Sequence, residues 1–125
     1  MRNSKWVEYN PNPKRARVGD CVIRALSKVL NSDWETVYAN LTAYGFAFGD
    51  LPNSNRVWGR FLKEKGFIRY NFDMDITVNE FCELNQAGIF VLGLDNHVVC
   101  VENGKIYDTW DCGEEYLYCF WTKER

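Results

Sequence analysis

The chain has 125 residues, of which 46% are hydrophobic and 16% aromatic, and its net charge is −2 at pH 7. This composition is too apolar for a disordered chain, and the lack of a basic excess argues against a nucleic-acid partner. A chain of this length suits one domain with a core of its own, so we predict a single domain over residues 1–125.

No stretch of the sequence approaches the roughly 20 apolar residues of a membrane-spanning helix, so we expect no membrane partner. The N-terminal residues lack an apolar run of signal-peptide length. The five cysteines are an odd number, and without an export signal such a set is typical of reduced thiols. We therefore expect a cytoplasmic protein.

The first half of the sequence has helical signals. Apolar residues recur at helical spacing over 22–30, and Asp20 precedes them as a candidate N-cap. A second helix is predicted from Ser32 to about Tyr44, where Glu35 would complete a capping box. A third helix is predicted around residues 57–62.

A fourth helix and then several strands complete the chain. Thr77 and Glu80 form a capping-box pattern that predicts a short helix. Strands are predicted over 89–94, 97–102, 105–110 and 116–121, with Asn103-Gly104 as the turn of a hairpin. Helices before strands indicate the α+β class, with N-terminal helices packed on a C-terminal antiparallel sheet.

Cys21 is the first candidate for chemistry. If Asp20 caps the first helix, Cys21 opens it, where free N–H groups and the helix dipole favour a thiolate. The adjacent Asp20 charge opposes that effect. The other four cysteines, Cys82, Cys100, Cys112 and Cys119, are interpreted as buried structural residues.

His97 is the sole histidine of the chain. It follows the Asp95-Asn96 turn and opens a predicted strand, so we expect it at the end of the sheet rather than deep in the core. Histidine titrates near neutral pH, which makes His97 the natural general base.

Asp108 is the predicted partner of His97. A two-residue Asn103-Gly104 turn pairs Glu102 with Lys105 and continues the register down both strands. His97 and Asp108 then become diagonal neighbours on one face, within reach of a hydrogen bond. Asp111, the alternative, would point to the other face.

The predicted face of the hairpin that carries His97 and Asp108 also carries Val99, Val101 and Ile106. These apolar residues need a covering element, and the apolar stripe of the Cys21 helix is the best candidate. We therefore predict that this helix packs on them and brings Cys21 towards His97, which would form a nucleophile, base and orienting acid.

The sequence Gly19-Asp20-Cys21-Val22, followed by Asn96-His97-Val98-Val99 and Asp108, resembles the papain-like fold, and most closely the compact C39-type cysteine peptidases. It is also similar to small papain-fold proteins of phages and mobile elements of Gram-positive gut bacteria. The resemblance implies a cysteine peptidase or related amide hydrolase acting on a peptide or protein substrate, through an acyl-enzyme intermediate. It implies no cofactor and no metal.

One departure from the family pattern concerns the oxyanion donor. The family has a glutamine about six residues before the cysteine, and Arg15 stands at that position here. Arg15, Asn12 and Asn10 are the candidate replacements, since each side chain can donate a hydrogen bond. The missing glutamine leaves two alternatives to hydrolysis, which are a non-catalytic papain-fold binding module and a cysteine-dependent acyltransferase.

Overall fold

The computed structural model describes residues 2–71 and 74–123, which form four α-helices and a six-stranded mixed sheet. The helices are Cys21–Val29 (α1), Trp34–Phe48 (α2), Asn55–Glu64 (α3) and Val78–Leu84 (α4). The strands are Trp6–Glu8 (β1), Phe67–Asn71 (β2), Ile89–Leu94 (β3), His97–Glu102 (β4), Lys105–Asp108 (β5) and Leu117–Lys123 (β6). Their order across the sheet is β1-β5-β4-β3-β6-β2. The predicted α+β class is confirmed. Within the described ranges, no helix is both long enough and apolar enough to span a membrane.

The sheet departs from the predicted C-terminal antiparallel arrangement. β1, near the N-terminus, pairs in parallel with β5 and places Trp6 opposite Ile106. β2, between two helices, pairs antiparallel with β6. The sequence did not indicate β1 because three residues are too few to show an alternating pattern.

The second helix begins later than predicted. Its N-cap is Asp33, whose carboxylate accepts the N–H of Thr36 at 2.7 Å. The predicted capping box of Ser32 and Glu35 is therefore wrong. Aspartate is as good an N-cap as serine, so Asp33 can cap the helix one residue after the predicted N-cap.

The same helix also continues beyond Tyr44, its predicted end. It passes through Gly45 and ends at Gly49, which has the left-handed conformation with φ 68°. Gly45 is needed for a different reason, because the chain turns back and packs against it. A Cβ atom at Gly45 would lie 2.7 Å from the carbonyl oxygen of Asp50.

The sheet carries a hydrophobic cluster on each face. Residues of α1, α2 and α3 pack with Val98 and Cys100 of β4. On the other face, Phe81 of α4 packs with Val99 and Ile106. The prediction that the Cys21 helix covers the Val99 face is therefore wrong. Strand β4 presents apolar side chains on both of its faces, so the sequence pattern could not show which face the helix covers.

The Asn103-Gly104 hairpin has the predicted register. Both turn residues have positive φ, 50° and 74°, as a type I′ turn requires. Three residue pairs join β4 to β5, from Glu102 opposite Lys105 to Cys100 opposite Tyr107. This register is what brings the start of β4 near the end of β5.

We expect Gly45→Ala to destabilise the protein by about 1–3 kcal/mol, because the new methyl group must displace the backbone near Asp50. Helix propensity alone would favour alanine by about 1 kcal/mol. Gly59→Ala in α3 is the control, since its Cβ would lie 3.4 Å from the Trp121 ring, at ordinary contact distance. Urea unfolding of both variants measures the difference. Equal stability of the two variants would contradict the close approach at Gly45.

Candidate active site

Cys21 is the first residue of α1 and is only partly exposed. Burial raises the pKa of the Cys21 thiol, but the neighbouring His97 side chain, the backbone of Val98 and the charge of Arg24 together lower it below its ordinary value of 9.0. The thiol is therefore the reactive kind, because the thiolate is the nucleophile.

His97 is the first residue of β4 and follows the Asp95-Asn96 turn, as predicted. Its Nε2 atom lies 2.6 Å from Oδ2 of Asp108. Since Nε2 is bonded to Asp108, Nδ1 is the ring nitrogen that remains for Cys21. Burial disfavours the imidazolium, but the bonds to Asp108 and Cys21 raise the pKa of His97 to about 9.

Asp108 is the last residue of β5, and its side chain is 1% exposed. Besides His97, its carboxylate accepts from the Arg24 guanidinium at 3.0 Å and from the N–H of Thr109 at 2.7 Å. The thiol of Cys112 lies within 4.8 Å of it. A buried carboxylate needs such partners, and the set fixes its position beside the imidazole.

Asp111, the alternative to Asp108, does not contact His97. Its carboxylate accepts from the Asn3 side chain at 3.2 Å and from the N–H of Gly113 at 2.9 Å. Asp111 therefore stabilises the loop after β5, while Asp108 is the acid beside the histidine.

Asp20 lies at the N-cap position of α1, but its side chain makes no capping hydrogen bond. Its carboxylate instead bonds to Arg24, one turn along the helix, and accepts from Nε1 of Trp34 at 2.8 Å. The predicted side-chain cap is therefore wrong. The bond to Arg24 offsets the negative charge that would otherwise oppose a thiolate at Cys21.

Trp110 lies beside the imidazole of His97, and the centroids of the two rings are 4.9 Å apart. The side chain of Trp110 is exposed. An aromatic ring at this place shields the His97–Asp108 hydrogen bond from water, which strengthens it.

All five cysteines are free thiols, and the four others are buried whereas Cys21 is partly exposed. Burial raises the pKa of each, to about 11 for Cys82. Cys21 is thus the one thiol of the chain whose environment favours the anion.

Cys21 and His97 line a cavity of about 230 Å³ together with Asn53, Asn55 and Tyr118. A neighbouring cavity of about 310 Å³ shares Asn53 and is lined mainly by apolar and aromatic side chains, which include Val22, Trp34 and Tyr38. The two cavities form a groove with Cys21 on its wall.

The three predicted oxyanion donors lie outside this cavity. Asn10 donates to the carbonyl of Ala16, and Asn12 is buried and accepts from the N–H of Lys14. Arg15 is exposed and occupies the left-handed region with φ 58°. These residues stabilise the loop before α1.

Asn53 and Asn55 are potential donors that the sequence analysis did not select. Oδ1 of Asn55 accepts from Nε1 of Trp58 at 3.0 Å, which fixes the amide and leaves its NH₂ group for another acceptor. The Asn-Ser-Asn run before α3 was the available signal, but nothing in the sequence places that loop beside Cys21.

His97, Asp108 and Cys112 also present potential metal-ligand atoms within 4.8 Å of one another. The arrangement fits a cation poorly. The oxygens of Asp108 are already bonded to His97, Thr109 and the positively charged Arg24. A hydrogen-bonded network satisfies these donors and acceptors better than a metal centre does.

Three comparisons with known proteins found no match for this chain. No protein-family model matches the chain. No curated protein and no solved structure matches it either.

We expect Arg24→Met to lower the free energy of unfolding by about 3–5 kcal/mol, because it leaves Asp20 and Asp108 buried without their cation. Arg60→Met is the matched control, since the Arg60–Glu64 ion pair is exposed and such pairs contribute about 0–1 kcal/mol. Urea unfolding of the two variants gives the comparison. If both lost the same small amount, the buried ion pairs of Arg24 would have no structural role.

Proposed function

We propose that this protein is a papain-like cysteine hydrolase that cleaves a peptide or related amide bond. Cys21 is the nucleophile, His97 the general base and acid, and Asp108 the group that orients the imidazole. The observation that carries the proposal is the arrangement of the three side chains, since Cys21 and His97 line one cavity and Nε2 of His97 lies 2.6 Å from Oδ2 of Asp108. Nucleophile, base and orienting acid in that order are the requirements of covalent acyl transfer.

The reaction runs in two halves. The Cys21 thiolate attacks the carbonyl carbon of the substrate, and the imidazolium of His97 gives its proton to the leaving amine as the C–N bond breaks. A water molecule then attacks the resulting thioester and gives a proton to His97. The C–S bond breaks, the carboxylic acid leaves, and the thiolate–imidazolium pair is restored.

The negative charge that develops on the carbonyl oxygen needs hydrogen-bond donors. Cys21 opens α1, so the first N–H groups of that helix have no acceptor within it. The NH₂ group of Asn55, or that of Asn53, is the second donor lining the same cavity. Losing one such donor typically lowers the rate by about 10²–10³-fold. In this proposal, the amide of Asn55 or Asn53 supplies the donor that the glutamine provides in the family pattern.

A binding module without catalysis is the second candidate. The observation that favours it is the position of Asn10, Asn12 and Arg15, none of which lines the cavity of Cys21. In that case the groove beside Cys21 would hold a peptide without cleaving it. Peptide cleavage therefore has to be measured separately from peptide binding.

Alkylation of the native protein tests the nucleophile. We expect iodoacetamide at about pH 6 to label Cys21 and to leave the four buried thiols unlabelled, because only the thiolate reacts. Mass spectrometry of the digested protein assigns the label to each cysteine. Labelling of all five cysteines at similar rates, or of none, would contradict an activated thiolate at Cys21.

Incubation with a mixed peptide library completes the test. We expect wild-type protein to give new carboxyl termini and Cys21→Ala to give none, while Cys82→Ala remains active. A competing amine in a parallel reaction separates acyl transfer from hydrolysis, because transfer would yield amide products. Peptides retained intact by both wild type and Cys21→Ala would support the binding module instead.

A further inference from the structure

A third cavity, of about 350 Å³, lies beside the one that contains Cys21. Four of its lining residues are cationic, although the chain as a whole carries a net charge of −2. They are Arg56, Arg60, Lys63 and Arg69. The cavity has no aspartate or glutamate among the described residues that line it. Its charge therefore contrasts with that of the whole protein.

The fold explains how these charges meet. Arg56, Arg60 and Lys63 have the spacing i, i+4 and i+7, so they share one face of α3. Arg69 lies on β2, which pairs with β6 at the edge of the sheet. α3 meets β6 through Trp58 and Trp121, whose ring centroids lie 5.8 Å apart.

Among the described residues, two of the four cations have no carboxylate partner. Arg56 pairs with Asp50 at 3.0 Å, and Arg60 pairs with Glu64 at 2.7 Å. In residues 2–71 and 74–123, neither Lys63 nor Arg69 forms an ion pair. Nη1 of Arg69 donates to Oδ1 of Asn71 at 2.5 Å, but this hydrogen bond does not neutralise the charge of Arg69.

Three aromatic side chains also line the cavity. Trp58 and Trp121 contact each other with ring centroids 5.8 Å apart, and Tyr118 lies beside them in the lining. An anion that binds here would rest its apolar part on these rings while Lys63 and Arg69 bind its charge.

The basic cavity adjoins the candidate active site. Asn55 and Tyr118 line both this cavity and the one that contains Cys21 and His97. A peptide that presents an amide bond to Cys21 would therefore have its flanking residues beside the basic cavity.

We propose that the cavity of Lys63 and Arg69 binds the side-chain carboxylates of an acidic peptide segment, which flanks the bond presented to Cys21. That this segment belongs to a substrate rests on the proposed hydrolase function, whereas the binding of an acidic peptide does not. The methylene groups of glutamate suit the aromatic wall, and guanidinium and ammonium groups suit its carboxylate.

Peptide binding to the Cys21→Ala protein tests this proposal without any turnover. Trp58 and Trp121 lie in the cavity wall, so tryptophan fluorescence reports occupancy. The probes are end-capped tetraglutamate, end-capped tetraglutamine and inorganic pyrophosphate. We expect tetraglutamate to bind at least about ten-fold more tightly than the uncharged peptide, because charge-assisted hydrogen bonds form only with the carboxylates.

Variants in the same Cys21→Ala background locate the site. Lys63→Gln and Arg69→Gln should each weaken tetraglutamate binding by about ten-fold. Lys65→Gln removes the same charge from an exposed position near the end of α3 that does not line the cavity, and it should have little effect. Thermal unfolding checks that each variant is folded.

Three results would overturn the proposal. They are equal binding of the two peptides, equal effects of Lys63→Gln and Lys65→Gln, and tighter binding of pyrophosphate than of tetraglutamate. The last would show that the cavity takes phosphate. Absence of hydrolysis by the wild-type protein would refute the proposed function, but it would leave the peptide-binding result intact.

Discussion

The guanidinium of Arg24 is buried between two carboxylates, and the candidate site depends on it. It bonds to Asp20 before α1 and to Asp108 at the end of β5. The helix that carries Cys21 is thereby joined to the strand whose last residue orients His97. Hydrophobic packing holds α1 against the sheet but is not directional. The two ion pairs of Arg24 are directional, and they fix the first turn of α1 relative to the end of β5.

This network also distributes charge around the site. Asp20 next to a nucleophilic cysteine would disfavour a thiolate, but its charge is compensated by Arg24 and its second oxygen is bonded to Trp34. Asp108 supports a positive imidazole, which in turn supports a negative sulfur. Positive and negative groups therefore alternate from Asp20 to Cys21, an order that stabilises the ion pair needed for acyl transfer.

Local signals in the sequence were sufficient for some elements and insufficient for others. The Asn103-Gly104 turn sets a hairpin register, and that register alone placed Asp108 beside His97. The capping box of Thr77 and Glu80 likewise forms as predicted. Each of these features depends on neighbours within a few residues, which is why sequence patterns predict them well.

Features that depend on long-range packing could not be predicted in this way. β4 is apolar on both faces, so its pattern could not show that α1 packs on Val98 and Cys100. Arg24 lies on a helix that otherwise has an apolar stripe, and no local rule indicates a partner 84 residues away. The same limit applies to Asn55, whose position beside Cys21 depends on how α3 packs against the sheet.

The protonation of His97 tests the central claim most directly, and it can be measured without a substrate. His97 is the sole histidine of the chain, so its imidazole gives a single set of NMR signals to follow against pH. The account predicts a titration midpoint of about 9 in the wild-type protein and a clearly lower one in Cys21→Ala and in Asp108→Asn. A wild-type midpoint at the ordinary value of about 6.5, unchanged in both variants, would contradict a thiolate–imidazolium pair supported by Asp108.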